Sequence, residues 1–546
     1  MTQRAKPRKG LLVLFGLAVF TWWVRYHPPW VDLLIFDDDA RQHVYWTARF
    51  QDPSLFQDDL LTDFIVSSGF DPLGYRSLYR LGTRFMDPLP FSQLLSLLLL
   101  LVSLWLLYEL ATEIILHSRG RFICCGLFLF YSLYCSSGGL PRGFAFPLLL
   151  VFLVLSQKGA YKTAAITMPV AVLFYPPVLL NILALAVWEF VFRRVRRVKR
   201  RRFMLDLATL TLIVMVTGIY VLSVYETVGE VRGEQVTFEQ ARAMPEFHAE
   251  GRSAFFRDNR ISYLLLGRSG IGAYHVVGFA AILVVIGLIG GFGGLRIPTI
   301  SFDLVWTSLV LFGAAHFLLF RLHLPSRYTM YTLPLAFMLA IGASTEVFRD
   351  RSRVGGQLPN KTRWRSSFGW VVAAALAMGY GYIQGHLLSR TDPQLVTLDR
   401  ADLEMLVFIE TLPKDSLTAG HPMDMDNVPL VARKRVLVNH ELSIPYYLGY
   451  YRQIRSRMKD MLQAYYATAW EEVEGFVDSY GVDALVVQKA HFRKDFLDGP
   501  IYFEPFNSAV KRHWQGDEHF VLADPPQRLR CFENERYVVL CWGRSG

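Results

Sequence analysis

Three adjacent carboxylates, Asp37, Asp38 and Asp39, follow the first apolar segment, Leu11 to Val24, after a short spacer carrying His27, Pro28 and Pro29, with Arg41 and His43 just beyond them. Side by side they repel one another, so they do not titrate as equals. They belong in water, against a cation, or against a developing positive charge. A carboxylate so placed can act as general base toward an acceptor hydroxyl or amine, or hold a divalent cation. Arg41 is positioned to keep one of them ionised. The plain alternative is a solvated acidic loop. Asp58 and Asp59 follow in the same loop. They either fold back to join Asp37 and Asp39 around a cation such as Mg or Mn, or mark a helix start, where the dipole favours acid.

A second candidate group is Arg321-Leu322-His323-Leu324-Pro325-Ser326-Arg327-Tyr328, between two apolar runs. Two arginines and a histidine beside a membrane core suit a lipid-linked phosphate or diphosphate, or else reach toward the interface as snorkelling side chains. Arg142, in Gly139-Leu140-Pro141-Arg142-Gly143, sits at a comparable break. Glycine there admits close approach to a ligand and is equally an ordinary turn residue.

These groups have to be positioned by a chain of 546 residues, 52% hydrophobic and 14% aromatic, with a mean hydropathy of +0.27. Apolar residues fall in long runs, which defines a polytopic membrane protein. The net charge of +10 is gathered between those runs, as cytoplasmic loops are, so it reads as topology and not as a nucleic-acid footprint. The basic start, Arg4 to Lys9, leads into a first helix expected to stay uncleaved, with its beginning in the cytoplasm. Spans follow near Phe91–Leu116, Phe122–Cys135, Gly143–Leu155, Thr163–Tyr175, Val178–Phe192, Met204–Tyr225, Ala273–Ile289, Leu304–Phe320, Tyr328–Phe348 and Phe368–Leu388. That is about 11 crossings at roughly 20 residues each. Several are short and interrupted, which is tolerated where backbone is shielded or lines a cavity. Alternate crossings put the Arg193–Arg202 cluster and the Arg349–Arg365 segment inside, and the triple Asp, the Arg321–Arg327 stretch and the C-terminus outside. The loop at 27–88 is too polar to span. Its stretches Val44–Phe50 and Leu73–Phe85 have the spacing of amphipathic helices lying on the membrane surface.

The division expected is a membrane domain, 1–389, and a soluble α/β domain, 390–546. In the latter, helices are read at Asp399–Leu412, Pro445–Tyr466 and Ala469–Tyr480, and short strands at Ser416–Ala419, Arg435–Val438 and Ala484–Val487. The tail, Phe520–Leu522, Arg530–Phe532 and Tyr537–Trp542, reads as antiparallel β. Cys531 and Cys541 flank its turn and either pair or stay as free strand cysteines, whereas Cys124, Cys125 and Cys135 read as packing.

No P-loop, dinucleotide glycine fingerprint, His-Glu-x-x-His or Gly-x-Ser-x-Gly occurs, and no span carries a chain of carboxylates. ATP-driven transport, zinc hydrolysis and proton-coupled transport lose support accordingly. The layout resembles the GT-C superfamily of integral-membrane glycosyltransferases. Asp38-Asp39-Ala40-Arg41-Gln42 looks like the family's Asp-Glu-x-Arg-Tyr motif, with Asp39 in place of Glu and Gln42 in place of Tyr. Pro325-Ser326-Arg327-Tyr328 is similar to a late outer-loop arginine motif. The resemblance implies an enzyme that takes a sugar from a polyprenyl-phosphate carrier in the bilayer and passes it to an acceptor at the outer face. It implies Asp38 as base, Asp39 or Asp37 in support, and Arg321, His323, Arg327, Tyr328, Arg142, Arg41 and His43 around the substrates. The rival reading is a non-catalytic transporter, flippase or assembly subunit for lipid-linked sugars, using the same arginines without needing Asp38.

Overall fold

The computed structural model describes residues 9–27, 33–135, 138–194, 200–322, 324–345, 394–512 and 519–542. The expected span Phe368–Leu388, the Arg349–Arg365 segment, His323 and residues 195–199 of the first basic cluster lie outside the described residues. The chain divides into two compact units.

The first unit comprises Met1–Pro28, Gln93–Leu222 and Asn259–Gln394, and is helical where described. Among the described residues four helices are long and apolar enough to cross a membrane: Lys9–Tyr26, Pro88–Ile114, Phe203–Val224 and Thr299–Phe317. Shorter apolar helices cover Pro141–Gln157, Tyr161–Phe174, Pro176–Phe192 and Ala273–Ile289. Leu212, Val216, Ile219 and Leu222 point outward from Phe203–Val224, an apolar surface suited to lipid and costly in water. The interruptions have local causes. Gly138 and Gly139 take φ of 84° and 60°, backbone that glycine adopts without steric cost. Pro176 opens the helix Pro176–Trp188, where its missing N–H is no loss. Helices Ser118–Cys135 and Thr332–Ser344 approach so closely that a Cβ on Gly120 would lie 2.3 Å from the carbonyl oxygen of Gly342.

The second unit gathers Pro29–Ser92, Ser223–Asp258 and Leu395–Gly546. Strand β1 (Leu34–Asp37) pairs antiparallel with β2 (Leu395–Leu398), in the register Leu34 to Leu398 and Asp37 to Leu395. Strands β3 (Leu417–Gly420), β4 (Arg435–Val436), β5 (Ala484–Gln488), β6 (Arg530–Glu533) and β7 (Tyr537–Cys541) form a mixed sheet of order β4-β3-β5-β7-β6. β3 runs parallel to β4 and β5, and β7 antiparallel to β5 and β6. Its centre is apolar and buried, with Leu485, Val486, Val539 and Leu540 sealed from solvent. Helices Arg400–Thr411, Leu448–Tyr465 and Trp470–Tyr480 fall where their apolar spacing predicts. The first begins at a reciprocal capping box of Asp399 and Asp402.

Three local expectations change. Val44–Phe50 is a 3-10 segment, Tyr45–Phe50, whose Tyr45, Trp46, Thr47 and Ala48 are buried inside the unit and not laid on a membrane surface. Leu73–Phe85 forms a helix only to Gly82, with Tyr75 and Tyr79 buried and Leu73 and Leu81 exposed. Residues 521–523 make a 3-10 turn in place of a strand. Cys531 and Cys541 are joined as a disulfide, with Cα atoms 5.9 Å apart.

Candidate active site

Strand β1 delivers the acidic motif. Phe36 and Asp37 are buried, and β1 stops where the Asp37 carboxylate accepts the backbone N–H of Asp39 at 3.2 Å, an Asx-type turn. The chain then enters the short helix Ala40–His43. Asp37 is thus spent on folding the turn, while Asp38 keeps about a third of its side chain exposed.

Arg41 organises what surrounds them. Its Nη2 pairs with the Asp38 carboxylate and stands 3.6 Å from Glu441 Oε2; Nη1 donates to Asp426 Oδ2 at 3.3 Å. Burial works against the guanidinium charge, and Asp426, Asp38 and Glu441 override that and raise its pKa above the ordinary value. Asp426 lies in the 3-10 turn Asp424–Asn427 after β3, where its other oxygen accepts the N–H of Glu441 at 2.7 Å. Arg252 closes the far side. Its Nε donates to the His440 carbonyl at 2.8 Å, and Nη2 lies 3.1 Å from the Glu441 carbonyl and 3.4 Å from the Glu441 carboxylate. Gln42 donates to that same carbonyl at 3.2 Å.

One oxygen each from Asp38, Asp39 and Glu441 lies within 4.8 Å of the others. With Asp426, four carboxylates face two guanidinium groups, so full ionisation leaves an excess of negative charge. Burial pushes Glu441 up to about 8; Arg252 and Arg41 oppose the shift, and Asp38 and Asp39 add to it. Oxygen-only donors and uncompensated negative charge fit a hard divalent cation, Mg or Mn.

The other predicted residues divide. His43 is held by Asp71, Nδ1 to Oδ1 at 2.5 Å, and stacks on Phe70 at 5.1 Å between ring centres. The second oxygen of Asp71 takes the Trp46 indole N–H at 2.8 Å. Asp59 caps the helix Leu60–Ser67, accepting from Thr62 N at 3.0 Å and Thr62 Oγ1 at 2.5 Å, while Asp58 is exposed at a φ of 52°. Neither belongs to the three-carboxylate group, nor does Asp37.

Arg142, Arg321, Arg327 and Tyr328 belong to the helical unit. Arg321 is exposed, and Arg142 stands in the 3-10 turn Pro141–Phe144. Arg327 lies in the turn Pro325–Tyr328, 3.5 Å from Met330 Sδ. Tyr328 is buried and donates its hydroxyl to the Leu322 carbonyl at 2.6 Å, which closes that turn.

Sequence reasoning did not find Asp426, Glu441 and Arg252. Their signal was positional, since Asp426 and Glu441 lie in the loops that leave the carboxyl ends of β3 and β4, where open α/β sheets place ligands.

The fold resembles those of two solved glycosyltransferases. In particular, the Archaeoglobus fulgidus oligosaccharyltransferase, solved with a tethered acceptor peptide containing the NVT sequon, superposes with a TM-score of 0.52 at 13% identity, over 94% of this chain and 74% of that one. The same archaeal protein solved with Zn and sulfate gives 0.51 at 12% identity, over 94% and 72%. The mycobacterial arabinofuranosyltransferase AftD gives 0.53 at 15% identity, over 89% of this chain and 35% of its own length. No protein-family model and no curated protein matches the sequence.

Proposed function

We propose that this chain is a GT-C-type glycosyltransferase that moves a sugar from a polyprenyl-phosphate carrier to an acceptor at the outer face of a membrane. The observation that carries the reading is the placement of Asp38. It is partly exposed at the end of β1 and held by Arg41, which Asp426 and Glu441 lock from behind. Pre-positioning of this kind lowers the reorganisation needed at the moment of reaction. The likeness in fold to an oligosaccharyltransferase and an arabinofuranosyltransferase supports sugar transfer as the class.

In this reading Asp38 accepts the proton of the acceptor hydroxyl or amine as that group bonds to the anomeric carbon. The bond from that carbon to the carrier phosphate breaks, and its electron pair leaves on the phosphate oxygen. Arg321 and Arg327, with Arg142 in support, are the residues of the helical unit suited to binding a carrier phosphate through charge-assisted hydrogen bonds. Asp39 and Glu441, with one oxygen of Asp38, would hold the divalent cation, which would supply positive charge beside the reacting groups. The presence of Zn and sulfate in the archaeal neighbour agrees with a fold that receives metal and anion.

About 11 crossings, with the N-terminus in the cytoplasm, would set the acidic loop and the C-terminal region outside. The Cys531–Cys541 disulfide supports an oxidising compartment for that region. The test is transfer of radiolabelled sugar from a polyprenyl phosphate by the purified full chain. Asp38→Asn is expected to abolish transfer while carrier binding persists. Normal transfer by that variant would remove the catalytic assignment. Carrier translocation with no transfer by the natural protein would leave a flippase.

A further inference from the structure

We propose that His421, Asp424 and His491 form a binding site for a zinc-class transition-metal ion, sharing no donor with the acidic motif, that ties together the carboxyl ends of β3 and β5. His421 follows β3 directly, Asp424 stands in the next turn, and His491 follows β5 by three residues. β3 and β5 are adjacent and parallel, while the strand between them in sequence, β4, pairs on the other edge of β3. The site therefore sits where the strand order reverses, beyond the carboxyl ends, which is where sheets of this kind bind ligands.

Hydrogen bonds fix which nitrogen of each histidine offers a lone pair. His421 Nε2 lies 3.2 Å from the Ile501 carbonyl oxygen, which can only accept, so Nε2 carries the proton. Nδ1 is then bare, and it accepts only a long contact of 3.4 Å from the Met423 N–H. The Tyr465 hydroxyl accepts the N–H of Gln488 at 2.9 Å, which directs its own proton to His491 Nδ1 at 3.2 Å. His491 Nδ1 is therefore an acceptor as well. Facing it at 3.8 Å is Asp424 Oδ2, on a side chain nine-tenths buried, and this oxygen finds no hydrogen-bond partner among the described residues.

One ligand atom from each of the three side chains lies within 4.8 Å of the others, and His491 Nδ1 and Asp424 Oδ2 are the pair seen at 3.8 Å. A proton shared between Asp424 and His491 would draw them to hydrogen-bond distance, well under 3.8 Å. Two ligands each about 2.0–2.2 Å from one ion stand roughly 3–4 Å apart, so a small closure completes the set. Two imidazoles and one carboxylate select zinc-class ions over Mg or Ca, which prefer oxygen. The Ile501 carbonyl that orients His421 is the outer partner that metal-bound histidines characteristically have.

The probe is Co2+, titrated into the full chain in detergent after chelator treatment. Natural protein is expected to develop the visible d–d bands of a low-coordinate imidazole site at one equivalent, and Zn2+ to bleach them and raise the melting temperature. Asp38→Asn should keep the bands; His491→Asn and His421→Asn should each lose them. Absence of bands in the natural protein overturns the proposal whether or not the variants fold. So do bands that survive both histidine substitutions in folded protein.

Discussion

Arg41 donates through Nη1 to Asp426 Oδ2 at 3.3 Å, joining a half-buried guanidinium to a fully buried carboxylate 385 residues away in the sequence. The contact anchors the acidic motif to the turn after β3 and so sets where Asp38 is held. Removing one member of such a pair strands the other charge in the interior, at about 3–5 kcal/mol. Arg41→Ala and Asp426→Ala should each lower the melting temperature. The double variant should fall short of the sum by about 1–3 kcal/mol. Full additivity in denaturant melts would show that the two do not act as a pair.

Cation dependence follows from the carboxylates around Asp38. Chelation should suppress transfer and Mg or Mn restore it, because Asp38, Asp39 and Glu441 are close enough to share an ion. Glu441→Gln removes one charged donor and should raise the metal concentration for half-activity by about 10–100-fold. Titrating activity against free metal checks this. An unchanged half-point would assign Glu441 to Arg41 and Arg252 alone.

Much of this arrangement was legible in the sequence. The triple Asp stood out because charge beside an apolar run is conspicuous. Most C-terminal helices and strands were legible from their apolar periods, as with Arg400–Thr411 and Ala484–Gln488. Partners brought in by tertiary pairing were not, because nothing local in Arg252 or Glu441 says that they meet. The stretch Tyr45–Phe50 misled for a related reason. Its spacing is amphipathic, but Trp46 finds the Asp71 carboxylate and is buried. Of the two uses open to Asp59 in the sequence, the structure shows the cap on its own helix, Leu60–Ser67.

Asp59 makes that distinction measurable. Asp59→Ala loses the cap on Leu60–Ser67 and should cost about 1 kcal/mol, with no change in metal dependence. Burial raises the Asp59 pKa, and the Thr62 hydrogen bonds only partly oppose it. With the folded value above the ordinary 3.8, the fold binds this proton more tightly than the unfolded chain does. The associated stability is complete below the unfolded pKa and is lost as pH rises through the folded one. Asp59→Asn keeps a capping oxygen and should flatten that slope. A slope identical to the natural protein's would assign the pH dependence elsewhere.

His43 was expected to touch substrate, and its bond to Asp71 predicts a different profile. Asp71 satisfies both the His43 ring and the buried Trp46 N–H, so Asp71→Ala leaves a buried donor unpaired, at about 1–3 kcal/mol. His43→Gln should weaken transfer only as far as it disturbs the turn holding Asp38, lowering kcat while KM for the carrier stays unchanged. A rise in KM alone would return His43 to the substrate.

The disulfide permits the last test. Cys531 and Cys541 enclose a short loop, with a sequence separation of 10. Closing so short a loop removes little unfolded-state freedom, and the chain-entropy relation assigns it about 2–3 kcal/mol. It joins β6 to β7, and β7 lies against β5, whose carboxyl end leads to His491. Replacing both cysteines with serine should therefore cost about 2–3 kcal/mol of stability, read as a lower melting temperature, and leave sugar transfer intact at moderate temperature. Peptide mapping without reductant checks that the bond forms, and melts with and without reductant measure its contribution. A natural protein isolated with both thiols free would contradict the assignment of this unit to an oxidising compartment.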